Sequence, residues 1–362
     1  MVHRVPGGMA EQYAGGQEVP KENEKAPKVV SVWNPAGMDA CALYRMYIPH
    51  LNIRRSRFIF NPQRLPVAYL AQGDVLVVQR QGTEGNYIAL KYLKEQLGLK
   101  LVYDLDDNIW NVPRYNPARP FFERFKNGFG VCAQLCDVLT VSTQSLKSAV
   151  RSALPDLRNK EILVVPNAID FRLFRSCEKR KDGKIIIGWS GSNTHTDDVE
   201  MVWNLLPELL DEFENVYVHI VGAEPSGKLV GHPKVRHTPW VQTGEYPARL
   251  STWAWDIFVA PLEDNKFNRS KSAIKLMEAA ATGAAGIGTD VQPYREFYAF
   301  DDYLVKNGLC LTRYQWKEKL TKLIKDEAHR NEMVSRAQRI TRTWFNIEKI
   351  KNNWIHALES VC

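Results

Sequence analysis

The chain has 362 residues, too many for one ordinary hydrophobic core, so two domains are expected. Its 44% hydrophobic and 25% charged residues are ordinary for a soluble globular protein, and no apolar run is long enough to cross a bilayer, which excludes a membrane-spanning chain. A net charge of +7 and a pI near 9.0 point to an anionic partner, and six scattered cysteines without a CxxC pair or a zinc-spaced histidine cluster exclude a disulfide framework or a zinc module.

In chain order, residues 1–27 read as a flexible polar tail with no signal-peptide core, and together with the cysteine usage this predicts a cytoplasmic protein. Residues 28–170 alternate short apolar runs with helical periodicity. Strands are expected at Lys28–Pro35, Arg57–Asn61, Asp74–Arg80, Lys100–Asp106, Asp137–Thr143 and Glu161–Asn167. Helices are expected at Ala40–Leu51, Glu84–Leu97, Arg119–Leu135 and Gln144–Leu154. Strand, helix, strand at this spacing builds a parallel sheet, and near-continuous apolar strands are covered on both faces. Residues 171–183 carry a charged run with no apolar face and read as the interdomain linker.

A second series fills residues 184–344. Strands are expected at Lys184–Trp189, Val216–Ala223, Val235–Trp240, Asp256–Leu262 and Ala284–Thr289, with helices at Asp197–Phe213, Glu245–Trp253, Lys271–Thr282 and Gln315–Trp344. A last helical stretch, within 345–362, is expected to pack back on the first domain. The fold class is therefore α/β, with two doubly wound Rossmann-like domains facing across a cleft. Ligands bind such sheets at the carboxyl ends of the strands.

The stretch Asn268 to Glu278 carries the sharpest chemistry. It follows the apolar run Asp256–Leu262 and reads as a polar loop opening a helix that ends at Thr282-Gly283. A helix amino end flanked by Ser and Lys suits phosphate. Arg269, Lys271, Ser272 and Lys275 are the candidate groups for a diphosphate, and cations fixed there favour departure of a nucleoside diphosphate. Glu278, two turns on, is placed to reach a ribose, so a nucleotide-sugar site is expected. Gly191 and Ser192, at a strand-to-helix turn, are candidates for close approach of backbone to phosphate, and His195 lies next to them. Glu263, at the end of the Asp256–Leu262 strand, is a candidate for sugar contact or for capping.

Several segments together resemble the GT-B glycosyltransferases, in particular the large retaining family that uses nucleotide-sugar donors. They are Tyr44-Arg45-x-x-x-Pro49, Val165-Pro166-Asn167-Ala168-Ile169-Asp170, Ile187-Gly188-Trp189-Ser190-Gly191-Ser192 and the Ser270–Glu278 helix. The resemblance covers most of Val29 to Trp354. It implies a hexosyl transfer with retention, Glu278 on the ribose, base contacts at Trp240 and Val241, and a preference for UDP. Tyr44, Arg45 and Asn167 would then face the acceptor. The family carries Glu where this chain has Ser270, and an Arg/Lys pair where this chain has Gly191 to His195. The diphosphate charge would then fall to Arg269, Lys271 or Lys275.

Asp104-Leu105-Asp106-Asp107 closes a strand of the first domain. It reads as a metal-holding acidic pair, as helix capping, or as a carboxylate that orients or deprotonates the acceptor hydroxyl. The last reading is preferred, with Asp106 and Asp107 as the catalytic candidates. No bound metal or other cofactor is required on this view, Mg²⁺ or Mn²⁺ at most stimulating. The acceptor reading rests on Ala40–Gly73, which holds five arginines (Arg45, Arg54, Arg55, Arg57, Arg64), interleaved aromatics and no acid. Such a surface suits phosphates, so a hydroxymethylated pyrimidine in DNA is the first candidate. A cell-surface or lipid-linked glycan is the second, and a non-catalytic nucleotide-sugar binder the third.

Overall fold

The computed structural model describes residues 30–34, 38–60 and 67–362. The expected tail 1–27, the ends of the first two expected strands and Arg64 lie outside them. Two six-stranded parallel sheets form the frame. The first holds β1 (Val30–Asn34), β2 (Ser56–Phe60), β3 (Val75–Gln79), β4 (Lys100–Leu105), β5 (Val138–Val141) and β6 (Ile162–Val164). Their spatial order is β2-β1-β3-β4-β5-β6. The helices of this half begin with α1, made of Ala40–Ala42, a π-helical turn Leu43–Tyr47, and Ile48–Leu51. They continue with α2 (Val67–Leu70), α3 (Glu84–Leu97), α4 (Arg119–Leu135) and α5 (Gln144–Ala153).

The second sheet holds β7 (Ile185–Gly191), β8 (Val216–Gly222), β9 (Val235–Thr238), β10 (Ile257–Ala260), β11 (Ala285–Thr289) and β12 (Leu309–Cys310). Its helices are α6 (Thr196–Trp203), α7 (Leu206–Glu212), α8 (Tyr246–Leu250), α9 (Ile274–Thr282), α10 (Gln292–Tyr298), α11 (Asp302–Gly308), α12 (Arg313–Lys325) and α13 (Glu327–Trp344), with α14 (Ile347–Glu359) closing the chain. The strand order β12-β11-β10-β7-β8-β9 reverses direction between β7 and β10. In an open α/β sheet that reversal opens a crevice beyond the strand ends.

Local chemistry explains most elements. Val75 to Val78 of β3 are wholly buried, as a parallel strand covered on both faces must be. Thr83 with Asn86, and Thr312 with Gln315, form reciprocal caps that start α3 and α12. The expected helix 197–213 is two helices, because Pro207 sits in the first turn of α7, where its missing N–H is harmless. The expected helix 315–344 breaks at Asp326, whose carboxylate accepts from the His329 N–H at 2.8 Å and so starts α13. Helix α9 begins at Ile274 rather than Lys271. Asn268–Ser270 form a separate tight turn, and Lys271 is extended. Elements α2, α10, α11 and β12 lack a clear periodic signal in the sequence.

The chain passes between the halves more than once. Ile169 bridges to Asn346, and its N–H donates to the Phe345 carbonyl at 2.8 Å. Helix α14 then lies on α1, with the buried Trp354 ring 5.0 Å from that of His50 and 5.0 Å below the Arg45 guanidinium carbon. One apolar cluster runs from α1 through Val165, Ile169 and Phe174 into the second sheet.

Candidate active site

A cavity of about 220 Å³ lies between the two sheets. From the second half, its wall takes Ser190, Gly191 and Ser192 at the end of β7, Val221 and Gly222 at the end of β8, and Trp240 and Val241 after β9. The start of α9 adds Lys271, Ser272, Ile274, Lys275 and Glu278. From the first half come Ala40 to Arg45 of α1 with its neighbours, Asp106 and Asp107 after β4, and Asn167 after β6. Both sets sit at the carboxyl ends of their strands, so parallel topology alone brings them face to face.

Glycine is needed where β7 and β8 end. Gly222 has φ +95°, and a Cβ there would lie 2.2 Å from the Gly191 carbonyl oxygen. A Cβ on Gly191 would press on the Trp189 ring at 2.7 Å. The floor of the cavity is therefore bare backbone. No side chain caps the amino end of α9, and Ser272, Ile274 and Lys275 there line the same space.

Glu278 is 3% exposed. Its carboxylate accepts from the Tyr44 hydroxyl across the cleft and from the Tyr246 hydroxyl at 3.1 Å. Burial raises its pKa, opposed by Lys275. Lys275 donates to the Ser190 carbonyl at 2.6 Å, and burial lowers its pKa. Burial also disfavours the Lys271 ammonium, but Asp107 at 3.3 Å, with Asp198 behind it, outweighs this and raises its pKa. His195 donates or accepts at 2.7 Å to Asp198, yet burial holds its pKa down to about 4, so it is neutral at pH 7. It supplies no charge to replace the absent Arg/Lys pair.

On the wall from the first half, burial pushes Asp106 up to about 6, with Arg80 pulling the other way. Asp104 is wholly buried and turned from the cavity. It accepts from Arg45 at 2.7 Å, Thr140 at 2.7 Å and Gln79 at 3.3 Å. The acidic pair Asp104/Asp106 is thus not free to hold a metal together, which corrects that alternative. Cys41, Asp106 and Asp107 do bring ligand atoms within 4.8 Å of one another. However, Lys271 and Arg80 already place two cations on these carboxylates, so the residues present do not fit an added metal ion.

Of the residues singled out in the sequence, Tyr44, Arg45, Asp106, Asp107, Asn167, Gly191, Ser192, His195, Trp240, Val241, Lys271, Ser272, Lys275 and Glu278 meet at this cavity. Five do not. Arg269 is turned outward in a bidentate pair with Asp264 at 2.6 and 2.9 Å. The Glu263 carboxylate accepts from Asn265 at 2.9 Å instead. Arg54 and Arg55 lie exposed at the turn before β2, and Arg57 donates to Gln72 at 2.9 Å and lies 5.0 Å over the Tyr69 ring. Tyr44, expected at the acceptor, touches the carboxylate expected at the donor. Arg45 is fully buried, its guanidinium donating to Asp104, the Val165 carbonyl and Asn167. Sequence reading missed Cys41, Arg80, Asp198, Thr243 and Tyr246. Only Asp198 had a local signal, three residues after His195 on one helix face.

A polar seam closes the cleft beside the cavity. Asn167 donates to Ser272 Oγ at 2.8 Å, Thr143 to the Ser270 carbonyl at 2.8 Å, and Asn108 to Ser270 Oγ at 3.2 Å. Ser270, where the similar family carries Glu, is thus buried in the contact between the halves.

Residues 202–355 match the model of a family described as "Glycosyl transferase-like". Among solved structures, the chain is similar to HepE of Anabaena in complex with UDP and glucose. The TM-score is 0.66 at 13% identity, over 92% of this chain and 100% of that one. It is also similar to sucrose-phosphate synthase of Thermosynechococcus elongatus, with a TM-score of 0.62 at 12% identity over 90% and 96% of the two chains. TarM gives a TM-score of 0.59 at 14% identity, and the chain spans 57% of its length. No curated protein matches the sequence. The two parallel sheets and the cleft between them are thus similar in fold to these GT-B structures, and the family match falls on the second half of the chain.

Proposed function

We propose that the chain transfers a hexose, with retention, from a UDP-sugar to an acceptor hydroxyl. The observation that carries this reading is the convergence of an uncapped helix amino end, two lysines and a buried carboxylate in one cleft. The diphosphate would take the first N–H groups of α9 with Lys271 and Lys275. Glu278 would exchange the Tyr44 hydroxyl for the ribose hydroxyls, and the half-exposed Trp240 with Val241 would meet the base. HepE, similar in fold, has been seen with UDP-glucose, which supports UDP as the nucleotide. The domain division 28–170, 171–183 and 184–344 belongs to the same proposal, with residues 345–362 returned to the first domain.

In the transfer, the bond from the anomeric carbon to the β-phosphate oxygen breaks as the acceptor oxygen bonds to the same face. The acceptor proton passes to the leaving diphosphate. Asp106 and Asp107 orient the hydroxyl, and cations that meet the developing charge on the diphosphate lower the barrier. Closure of the seam keeps water from the donor.

For the acceptor we favour a hydroxymethylated pyrimidine in DNA. Arg54 and Arg55 are exposed just after α1, within the segment Ala40–Gly73, whose sequence holds no acid. A glycan acceptor is the second reading, because TarM, similar in fold, was solved with alpha-GlcNAc-glycerol. The test is a panel of labelled UDP-sugars incubated with hydroxymethylated duplex, plain duplex and oligosaccharides, followed by mass analysis. Mass gain on the modified nucleoside alone supports the DNA reading, and gain on an oligosaccharide alone moves the assignment to a glycan. A protein that binds UDP but turns over no donor, even to water, would be a binder rather than an enzyme.

A further inference from the structure

Arg80 follows β3 directly, its backbone N–H donating to the Asp104 carbonyl at 3.2 Å. Its φ is +49°, in the left-handed region that a long side chain seldom occupies. Such strain persists only where the surroundings over-determine it, and it gathers at functional sites. Here the surroundings are acidic. The guanidinium donates to Asp39, and that carboxylate also caps α1 by accepting from the Ala42 N–H at 2.7 Å. Its Nε lies 3.5 Å from Asp106 Oδ1, an oxygen with no hydrogen-bond partner among the described residues. Asp106 is 9% exposed and lines the cavity, whereas Arg80 stands behind the wall.

We infer that Arg80 is a positioning residue: from behind the cavity wall it holds the Asp106 carboxylate in place toward the acceptor hydroxyl. The inference rests on the acceptor role of Asp106 proposed above. Every element packed on that carboxylate contributes a group. Strand β4 and its turn bring Asp104 and Asp107, and α1 brings Cys41 and Asp39. The end of β5 brings Ser142, which donates to the Asp106 backbone carbonyl at 3.3 Å. The loop before α9 brings Lys271, which sits on Asp107 rather than Asp106. Burial and the two neighbouring acids favour the protonated form. Arg80 is the largest influence the other way, and the Cys41 thiol adds a weaker one. One cation in a strained turn therefore connects the start of α1 to the carboxylate nearest the acceptor.

The experiment reads Asp106 itself and needs no substrate. The full chain is labelled with carbon-13 at the aspartate carboxyls, and the Asp106 signal is identified by its loss in Asp106→Asn. Wild type should titrate near pH 6, where burial, opposed by Arg80, places it. Arg80→Gly keeps the left-handed turn and removes the charge, so its midpoint should rise by about one unit or more, a tenfold gain in proton affinity. Arg80→Lys should stay near wild type. Arg80→Gln serves as the uncharged variant if the glycine chain does not fold. A midpoint unmoved in the uncharged variants, or moved equally in Arg80→Lys, overturns the inference. UDP titration of the same samples separates the two failures. A wild type that does not bind UDP sinks the donor reading, while the carboxyl titration still decides the role of Arg80.

Discussion

At the scale of single residues, Glu278 is the most constrained group in the cleft. It is buried, raised in pKa and held by two tyrosines from opposite halves. A carboxylate accepting two hydroxyls is worth about 1.5–3 kcal/mol per charged hydrogen bond. Glu278→Gln should therefore weaken UDP binding by about ten- to a hundredfold, measured by calorimetry. Tyr44→Phe tests the exchange of partners. If the ribose must displace the tyrosine hydroxyl, this variant binds UDP at least as tightly as wild type. A large loss of affinity would instead make Tyr44 part of the donor site. The sequence named both residues, but it placed them on different substrates. Spacing along one helix could order Ser270 and Glu278, yet it held no information about a tyrosine 234 positions away.

At the scale of elements, the packing of α14 on α1 depends on an uncommon neighbour. His50 is almost fully buried, neither ring nitrogen has a hydrogen-bond partner among the described residues, and burial lowers its pKa to about 3. An unpaired buried nitrogen is destabilising, so His50→Phe should raise stability by about 1 kcal/mol at pH 7. The pH dependence follows from the same histidine. Between about pH 6.5 and pH 3 the unfolded state binds a proton there that the folded state refuses. Wild type therefore loses stability as pH falls through that window, by up to about 1.4 kcal/mol per pH unit, and the variant lacks this component. Urea unfolding of the two proteins from pH 7 to pH 4 checks it. Acids such as Asp106 and Glu278 oppose the trend in both proteins and cancel in the difference. Strands and most helices were legible, because an apolar run of Val, Ile and Leu between turn residues reads the same in any context. The breaks at Pro207 and Asp326 had signals that periodicity overrode. The start of α9 was missed because the turn Asn268–Ser270 is held by Asn265 and Asp198 of its own half and by Thr143 and Asn108 of the other.

At the scale of the whole molecule, the cleft is held shut by hydrogen bonds that converge on Ser270 and Ser272. Removing two of them in Asn108→Ala with Thr143→Val should favour an open form. Small-angle scattering would show a larger radius of gyration without ligand, and donor hydrolysis should rise relative to transfer as water reaches the sugar. An unchanged radius would mean that the remaining contacts, Asn167 to Ser272, Tyr44 to Glu278 and Lys271 to Asp107 among them, are enough to close the halves. The two-sheet α/β architecture was legible from the alternation of strands and helices. The seam was not, since a serine in place of an acid reads in sequence only as a loss.

Trp354 under Arg45 has a consequence for how the protein is made. The guanidinium that braces Asp104 rests on a ring from α14, which follows both sheets in sequence. The nascent first sheet can form early, but Arg45 has no ring beneath it until α14 has been made. A chain stalled shortly before residue 347 would carry the whole second sheet beside a first half whose Arg45–Asp104 pair still lacks its support.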